Sequence, residues 1–297
     1  MPLTVQSVGG NATPVAYEPP QVIAGEPPVQ TTCTPVSGST FPLGVTTVAC
    51  ATRDAVARTD ACTFTVTVNL APRLAATTFM AFGNSITEGK TASGATPNNY
   101  PVQLARMLTS RYAMQAQSIS VVNKGLGGET AVQGAQRIHQ ALDDEEPQVL
   151  LLEEGVNDLQ TGATAIPSMI NALRDMVREA KSRGIVVFLA TLTPVREGGT
   201  PPRGDAAFPH VRDANTQIRI LAASEQVILV DLYQSFGGSP DPYIDVDGLH
   251  PTEAGYLKIA EFFFEAIRAR LEIAAVPASP GLVRNMPVPT LPFARLR

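Results

Sequence analysis

The spacing of hydrophobic residues in the early part of the chain differs from that in the rest. In residues 62–68 (CTFTVTV) apolar and polar side chains alternate, and residues 46–50 (TTVAC) show a similar pattern. A period of two predicts strands with one buried face, and the Gly and Pro residues between such segments are typical of turns. We therefore expect residues 1–72 to form a small all-β domain.

The cysteines are confined to this early region, at Cys33, Cys50 and Cys62. An odd number allows one disulfide within the chain and leaves one thiol over. The alternation places Cys50 and Cys62 on the buried faces of two predicted strands. If those strands are neighbours, their inward cysteines can bridge, so we predict a Cys50–Cys62 disulfide.

From residue 73 onward, continuous apolar runs alternate with helical patterns. The predicted strands are Thr78–Phe82, Ile119–Val122, Val149–Leu152, Ile185–Ala190 and Val227–Leu232. Runs without alternation are typical of parallel strands that are buried on both faces. The predicted helices cover residues 100–112, about 131–142, 166–182 and 211–223, and a last helix carries Ile259, Phe263, Ile267 and Leu271 at four-residue steps.

Such repeated strand–helix steps predict an α/β fold, a three-layer α/β/α sandwich with a parallel five-stranded sheet, over residues 73–275. Residues 276–297 are rich in proline and aperiodic, so we expect a tail with no fold of its own.

Composition narrows the possible partners. The formal net charge is -5, with 22 Lys and Arg against 27 Asp and Glu, and no basic stripe is present, so we expect no nucleic-acid partner. No apolar run reaches the ~18 residues that a transmembrane helix needs. The first residues, MPLT, lack the basic and apolar regions of a signal peptide.

Four short motifs fall at strand ends, the edge at which open α/β sheets bind ligands. The first, FGNSITEG at residues 82–89, places Ser85 on a strand-to-helix turn after the first strand. A serine with an exposed hydroxyl there suits nucleophilic attack, and its backbone N–H suits a developing oxyanion. The alternative interpretation is a turn with a helix cap.

The next two motifs offer hydrogen-bond donors. The glycines of NKGLGGET, at residues 123–130, let the backbone approach a ligand, although an ordinary flexible loop has a similar composition. In EGVND, at residues 154–158, the side chain of Asn157 can donate to an oxyanion while Gly155 permits a tight bend. An Asn-Asp helix cap is the alternative for this motif.

The fourth motif, DGLHP at residues 247–251, supplies a candidate general base. An aspartate three residues before a histidine can accept its Nδ1–H, which leaves Nε2 free to take a proton from a serine. The other two histidines are weaker candidates. His139 lies within a helical pattern, and His210 lies in a loop with no carboxylate at a useful spacing.

Taken together and in this order, the motifs resemble those of the SGNH hydrolases, also called the GDSL family, over roughly residues 75–273. The resemblance implies a flavodoxin-like sheet, with Ser85 as nucleophile, His250 as general base and Asp247 as the third member of a triad. It also implies an oxyanion hole formed by the N–H groups of Ser85 and Gly128 and by the Asn157 side chain.

One position departs from the family, because Asn84 stands where an Asp is usual. The amide has a similar size and can hydrogen-bond, so we expect activity to survive. Asn84 and His210 are additional candidates for contacts with substrate, and the long loop 196–210 is expected to line the pocket. We interpret Glu153 and Glu154 as structural, because adjacent strand residues point to opposite faces, which argues against glycosidase chemistry.

Residues 5–69 resemble the hyalin repeat, an immunoglobulin-like β-sandwich of extracellular proteins. The resemblance is carried by CTPVSGSTFPLG at residues 33–44 and VAC at 48–50. The turn that usually follows is altered here to DAVAR, at residues 54–58. The resemblance implies an extracellular or periplasmic location, with a β-module that contacts another protein or a polysaccharide.

The sequence therefore predicts a serine esterase that forms an acyl-enzyme on Ser85 and hydrolyses short-chain esters, such as small esters or acetylated carbohydrates. A lysophospholipase or thioesterase acting on longer chains is the alternative within the enzyme class. The alternative outside it is a catalytically inactive secreted binding or adhesion protein, against which the retained side chains of all four motifs argue. Acyl transfer of this kind requires no cofactor, and the sequence offers no cluster of metal-binding residues.

Overall fold

The structure is a computed structural model that describes residues 2–7 and 10–273. The chain divides into two compact units with a boundary between Ala71 and Pro72, and each unit has a hydrophobic core of its own. The expected C-terminal tail, residues 276–297, lies outside the described residues, as do residues 274–275.

The first unit contains a four-stranded sheet. Its strands are β1 (Leu3–Ser7), β2 (Gln30–Thr34), β3 (Gly44–Arg53) and β4 (Thr59–Leu70), in the order β1-β4-β3-β2. The pair β1–β4 is parallel and the other pairs are antiparallel. Two short strands, Thr13–Pro14 and Thr40–Phe41, also pair. The side chains of Phe41, Val48, Val66 and Val68 are buried together, which confirms the all-β prediction for this region.

The predicted disulfide was wrong, because Cys50 is bonded to Cys33 and Cys62 is free and exposed. Strand β3 lies between β2 and β4, so Cys50 faces Cys33 on one side and Cys62 on the other. The early residues of β4 are exposed, and the alternation buries side chains only further along the strand. Periodicity therefore identified a strand but not which neighbour of Cys50 is its partner.

The second unit is built on a parallel sheet of five strands, as predicted. These are β5 (Thr78–Gly83), β6 (Ser120–Gly125), β7 (Val149–Glu153), β8 (Val186–Ala190) and β9 (Ile228–Val230), in the order β6-β5-β7-β8-β9. Strand β7 is buried along its whole length, as a continuous apolar run between two layers of helices requires.

The helices of this unit form the outer layers of the sandwich. They are α1 (Ser85–Glu88), α2 (Tyr100–Arg111), α3 (Ala131–Glu145), α4 (Ile166–Ser182), α5 (Val211–Glu225), α6 (Leu232–Ser235) and α7 (Glu253–Leu271). Helix α2 packs beside α7, while α4 packs between α3 and α5. None of the helices in residues 2–7 and 10–273 combines the length and hydrophobicity that crossing a bilayer requires.

Three single-turn 3-10 helices and two short strand pairs complete the described part of this unit. The 3-10 helices are Ala113–Gln115, Asp158–Thr161 and Ala163–Ala165. The strand pairs are Lys90–Thr91 with Gly94–Ala95, and Arg73–Leu74 with Glu272–Ile273.

Polar side chains end strands and begin helices at the edge where the motifs lie. Strand β9 is shorter than predicted because Asp231 caps α6, its side chain accepting from the Gln234 N–H. Helix α3 begins with a capping box between Thr130 and Gln133. Helix α7 is capped by Thr252, whose hydroxyl accepts from the Gly255 N–H. These caps fix where the loops after β6 and before α7 must end.

Candidate active site

Ser85 lies on a tight turn between strand β5 and helix α1. A Cβ atom at Gly83 would lie 2.0 Å from the carbonyl oxygen of Glu153, so only glycine fits at the end of the strand. Asn84 caps the helix, with its side chain accepting a hydrogen bond of 2.9 Å from the Ile86 N–H. Ser85 itself is only 6% exposed, and the turn holds its hydroxyl at the edge of the sheet.

The Oγ of Ser85 lies 3.0 Å from the Nε2 of His250, across 165 residues of sequence. On the other side of the ring, Nδ1 lies 2.6 Å from the Oδ2 of Asp247. A tight turn makes this second contact, because the Oδ1 of Asp247 accepts from the backbone N–H groups of Leu249 and His250 at 3.1 and 3.0 Å. The serine, histidine and aspartate thus form one continuous hydrogen-bonded chain.

The charge of Asp247 determines which groups donate and which accept in these hydrogen bonds. Burial acts to raise the pKa of Asp247, but the hydrogen bonds from the ring and backbone of His250 and from the Leu249 N–H outweigh it and lower the pKa. An ionised Asp247 accepts the Nδ1–H and therefore selects the tautomer in which Nε2 accepts from the Ser85 hydroxyl. Asp247 is fully buried and His250 is 5% exposed, which keeps the pair away from competing water.

The turn that carries His250 is tied to loop 196–210. Backbone hydrogen bonds join Arg196 N–H to the Gly248 carbonyl at 2.8 Å and Arg203 N–H to the Asp247 carbonyl at 3.0 Å. Gly248 has a positive φ of 78°, and a Cβ atom there would lie 2.4 Å from the Arg196 carbonyl oxygen. The loop and a glycine that cannot be replaced without strain therefore hold the histidine in place.

The predicted oxyanion donors are the backbone N–H groups of Ser85 and Gly128 and the side chain of Asn157. Gly128 has a positive φ of 81°, and within residues 2–7 and 10–273 no backbone oxygen accepts from its N–H. Asn157 donates one amide hydrogen to the Glu129 carbonyl at 2.8 Å, which orients the side chain and leaves the second hydrogen for a ligand. Both residues line one cavity with Ser85 and His250.

This cavity has a volume of about 830 Å³ and opens at the carboxyl ends of the strands. One wall is the hairpin 90–95, whose Ala92 N–H donates to Asp245 at 3.0 Å. The lining is mostly polar and comprises Ser85, Glu88, Lys90, Thr91, Ala92, Ser93, Gly94, Leu126, Gly127, Gly128, Asn157, Gln160, Arg203, Leu249 and His250.

Comparison with known proteins matches each part of the chain to a family. Residues 81–258, more than half of the chain, match the GDSL-like lipase/acylhydrolase family, and residues 4–68 match the HYR domain, the hyalin repeat. The chain belongs to the GDSL-like lipase/acylhydrolase family. It is an ester hydrolase, preceded by a hyalin-repeat module, as the motifs predicted.

Named relatives of this hydrolase include esterases. It is 28% identical over 205 residues to Esterase TesA of Pseudomonas aeruginosa, which covers 69% of this chain and 94% of the relative. It is 25% identical over 132 residues to a multidomain esterase of Ruminococcus flavefaciens, covering 44% of this chain and 17% of that much longer protein. The crystal structure of a lipase/acylhydrolase from Enterococcus faecalis superposes with a TM-score of 0.54 at 23% identity, over 68% of this chain and 99% of that chain, so the two share a fold.

Two residues suggested as substrate contacts do not line the cavity of the hydrolase. Asn84 is fully buried, and its side chain accepts from the Ile86 N–H and donates to Glu154, so it caps helix α1 and lies outside the cavity lining. His210 precedes α5 and is half-buried outside the cavity lining. Loop 196–210 does line the pocket, as expected, but through Arg203.

Sequence reasoning missed the hairpin wall and two polar side chains of the hydrolase. Thr91 and Ser93 come from the hairpin, Gln160 comes from a 3-10 helix, and Arg203 places its Nε 3.8 Å from the Oδ2 of Asp247. The Ser93-Gly94 pair is a turn signal, but nothing in the sequence indicates that the turn folds back over Ser85.

Glu153 and Glu154 are both buried beneath the nucleophile turn. Burial raises the pKa of Glu153 to about 8, and within the described part of the chain its carboxyl oxygens have no hydrogen-bond partner. Burial and the neighbouring Glu153 raise the pKa of Glu154 well above its ordinary value. Neither residue lines the cavity, which agrees with the structural interpretation of this pair.

Proposed function

We propose that this hydrolase cleaves short-chain carboxylic esters through an acyl-enzyme on Ser85. The observation that carries the proposal is the hydrogen-bonded chain from Ser85 Oγ through His250 to Asp247, with distances of 3.0 and 2.6 Å. A serine is a weak nucleophile unless a base accepts its proton as it attacks, and His250 is placed to accept it.

In the proposed first half-reaction, Ser85 Oγ attacks the ester carbonyl while its proton passes to His250 Nε2. The C–O bond to the alcohol then breaks, and the alcohol leaves with that proton. Water next attacks the acyl-enzyme and gives a proton to the same nitrogen, and collapse of the intermediate releases the acid and returns a proton to Ser85. Asp247 stays ionised throughout and stabilises the imidazolium.

The oxyanion formed in each step requires donors beside Ser85. The N–H groups of Ser85 and Gly128 and the free amide hydrogen of Asn157 are the proposed donors. Support for this assignment comes from the Gly128 N–H, which has no backbone acceptor in the described part of the chain, and from the bond that orients Asn157. Donors of this kind each lower the barrier by about 3 kcal/mol.

The lining of the cavity favours a small acyl group and a polar alcohol. Among the described residues, the apolar side chains of this lining are those of Ala92, Leu126 and Leu249. Each methylene of a long acyl chain needs an apolar surface to gain about 0.8 kcal/mol. The hydroxyls of Thr91 and Ser93 suit a polyhydroxylated alcohol. We therefore infer that acetylated carbohydrates or small esters are the substrates.

The hyalin-repeat module supports an extracellular or periplasmic location, because its disulfide is stable under oxidising conditions. We propose that the module contacts another protein or a polysaccharide. A sedimentation assay of the separately expressed residues 1–71 with insoluble xylan, cellulose and chitin tests whether the module binds a polysaccharide. An unrelated immunoglobulin-like domain is the control.

A series of p-nitrophenyl esters from acetate to palmitate tests the main proposal, with Ser85→Ala measured in parallel. Activity that depends on Ser85 and peaks at acetate is the expected result, and acetylated xylan and sugar acetates are then assayed for acetate release. A peak at long chains contradicts the short-chain proposal and favours the lysophospholipase or thioesterase alternative. No hydrolysis, together with no fluorophosphonate labelling of Ser85, favours a catalytically inactive binding protein.

A further inference from the structure

The side chain of Asn84 joins the nucleophile turn to Glu154. Its Nδ2 donates to the Oε1 of Glu154 at 3.1 Å, and its Oδ1 accepts from the Ile86 N–H at 2.9 Å. Asn84 is fully buried and Glu154 is 1% exposed, so water does not compete for either bond. One amide therefore links the residue after Ser85 to a carboxyl group on the chain that follows strand β7.

Asn84 performs two tasks that an aspartate cannot perform together. Accepting from the Ile86 N–H requires an oxygen, which Asn and Asp both supply. Donating to Glu154 requires a hydrogen, which an ionised Asp lacks. An Asp at this position would place a second carboxyl group against Glu154 in a buried site, where the two cannot both be ionised.

Within residues 2–7 and 10–273, the one other hydrogen-bond partner of Glu154 is its neighbour Gly155. Its Oε1 also accepts from the Gly155 N–H at 3.2 Å, and its Oε2 is buried with no hydrogen-bond partner among the described residues. The adjacent acid, Glu153, is buried as well and likewise has no partner there. Two buried carboxyl groups therefore lie behind the nucleophile turn, and Asn84 is the side chain that donates to one of them, Glu154.

We propose that Glu154 is a positioning residue that acts through Asn84 to hold Ser85 and its backbone N–H in their reactive geometry. The inference rests on the proposed function. It also accounts for the departure of this chain from its family, since the usual Asp at position 84 would set a second acid against the buried carboxyl group at position 154, and the two could share a hydrogen bond only with one of them protonated. Asn84 and Glu154 form a matched donor and acceptor pair.

Exchanging the two groups tests the pair. Asn84→Asp replaces the amide donor by a second acid, so that one of the two carboxyl groups must be protonated to keep a hydrogen bond, and it should lower kcat about 100-fold, as a small misplacement of the reacting groups does, with KM little changed. In the double variant Asn84→Asp/Glu154→Gln, the introduced amide donates to the introduced carboxylate, which should recover at least about tenfold of that loss. Recovery should be partial, because the NH2 of the introduced amide then faces the Gly155 N–H, which loses the oxygen that accepts its hydrogen bond in the wild type.

Two further variants distinguish a positioning role from a folding defect. Glu154→Leu removes the acceptor without adding charge, and it should lower kcat and slow fluorophosphonate labelling of Ser85 while KM stays the same. Glu153→Gln is the matched control, an isosteric change of the adjacent buried acid, and it should keep kcat at neutral pH. Near-ultraviolet circular dichroism and Tm establish that each assayed variant is folded.

Wild-type kcat in both Asn84→Asp and Glu154→Leu overturns the inference, and so does a double variant no faster than Asn84→Asp. Ser85→Ala, assayed in the same series, separates this result from failure of the proposed function. If Ser85→Ala is inactive while the pair variants keep full activity, only the positioning role is wrong. If Ser85→Ala keeps full activity, the acyl-enzyme proposal itself is wrong.

Discussion

The carboxylate of Asp247 meets His250 with two different oxygens, one on the ring and one on the backbone. Oδ2 lies 2.6 Å from the ring Nδ1, and Oδ1 lies 3.0 Å from the His250 backbone nitrogen. The aspartate therefore sets the position of the histidine backbone and the tautomer of its ring at once. Changes to this group should separate these two effects.

Asp247→Asn should keep the turn but change the tautomer of the His250 ring. The retained Oδ1 still accepts from the backbone, whereas the new amide donates to Nδ1 and favours the tautomer whose Nε2 carries the hydrogen. We expect kcat to fall about 10⁴-fold with little change in Tm, as for other triads. Steady-state kinetics on p-nitrophenyl acetate measure this. Asp241→Asn, at an exposed aspartate paired with Arg196, is the control and should stay active.

Ser85→Ala should abolish turnover without unfolding the protein. The hydroxyl is hydrogen-bonded to His250, and loss of that bond costs little stability. We expect kcat to fall by about 10⁴-fold or more and labelling by a fluorophosphonate to disappear. Ser182→Ala, at the end of α4, is the matched control. A mass shift on intact Ser85→Ala protein after labelling would show that another residue is the nucleophile.

Glu153 should make the second unit less stable as the pH rises. Its pKa is raised from 4.5 to about 8 in the folded state, so the folded protein binds more protons than the unfolded chain between these values. The free energy of unfolding therefore falls as the pH rises through this window and changes little with this group above it. Thermal melts from pH 5 to 9 should show a shallower decline for Glu153→Gln, whereas Glu261→Gln at an exposed site should behave as wild type.

Arg203 should discriminate between alcohol groups of the substrate. Its guanidinium lies at the cavity and is exposed enough to reach a bound sugar. A hydrogen bond from a charged group contributes about 1.5–3 kcal/mol, so Arg203→Gln should lower kcat/KM on an acetylated xylooligosaccharide roughly 10-fold or more. Hydrolysis of p-nitrophenyl acetate should change much less. Arg212→Gln, outside the cavity, is the control, and equal losses on both substrates contradict this role.

The cysteines of the first unit should differ in reactivity. Cys62 is exposed and free, so iodoacetamide should add one group to the unreduced protein at this position. The Cys33–Cys50 disulfide closes a loop with a sequence separation of 17, which stabilises the folded unit by about 3 kcal/mol. Cys50→Ser should therefore lower the Tm of this unit, while Cys62→Ser should leave it unchanged. Peptide mapping under non-reducing conditions identifies the bonded pair.

The parts of the fold that the sequence predicted are those with a strong local signal. The run Val149–Leu152 is unbroken and apolar and is bounded by polar residues, which is typical of a parallel strand buried on both faces. The positions of Ser85 and His250 were predictable because their motifs lie at the ends of such strands and helices. The 3.0 Å contact between them followed from resemblance, since 165 residues separate them.

The parts that were missed depend on which neighbour a residue meets in space. Cys50 has a cysteine opposite it on each side, and alternation does not choose between Cys33 and Cys62. The sequence does not indicate whether the amide of Asn84 faces a ligand or Glu154. The hairpin wall is joined to a distant part of the chain by bonds such as that from the Ala92 N–H to Asp245, 153 residues away, which no local pattern indicates.

The long separation between nucleophile and base also has a consequence during synthesis. Ser85 leaves the ribosome 165 residues before His250, and at the usual rates of translation this interval lasts roughly 10 to 30 seconds. Throughout it the nascent chain carries a serine without a base and a sheet without its covering helix α7. On the proposed mechanism, the hydrolase becomes active only after His250 has been synthesised and has reached Ser85, so activity reports completion of the catalytic unit.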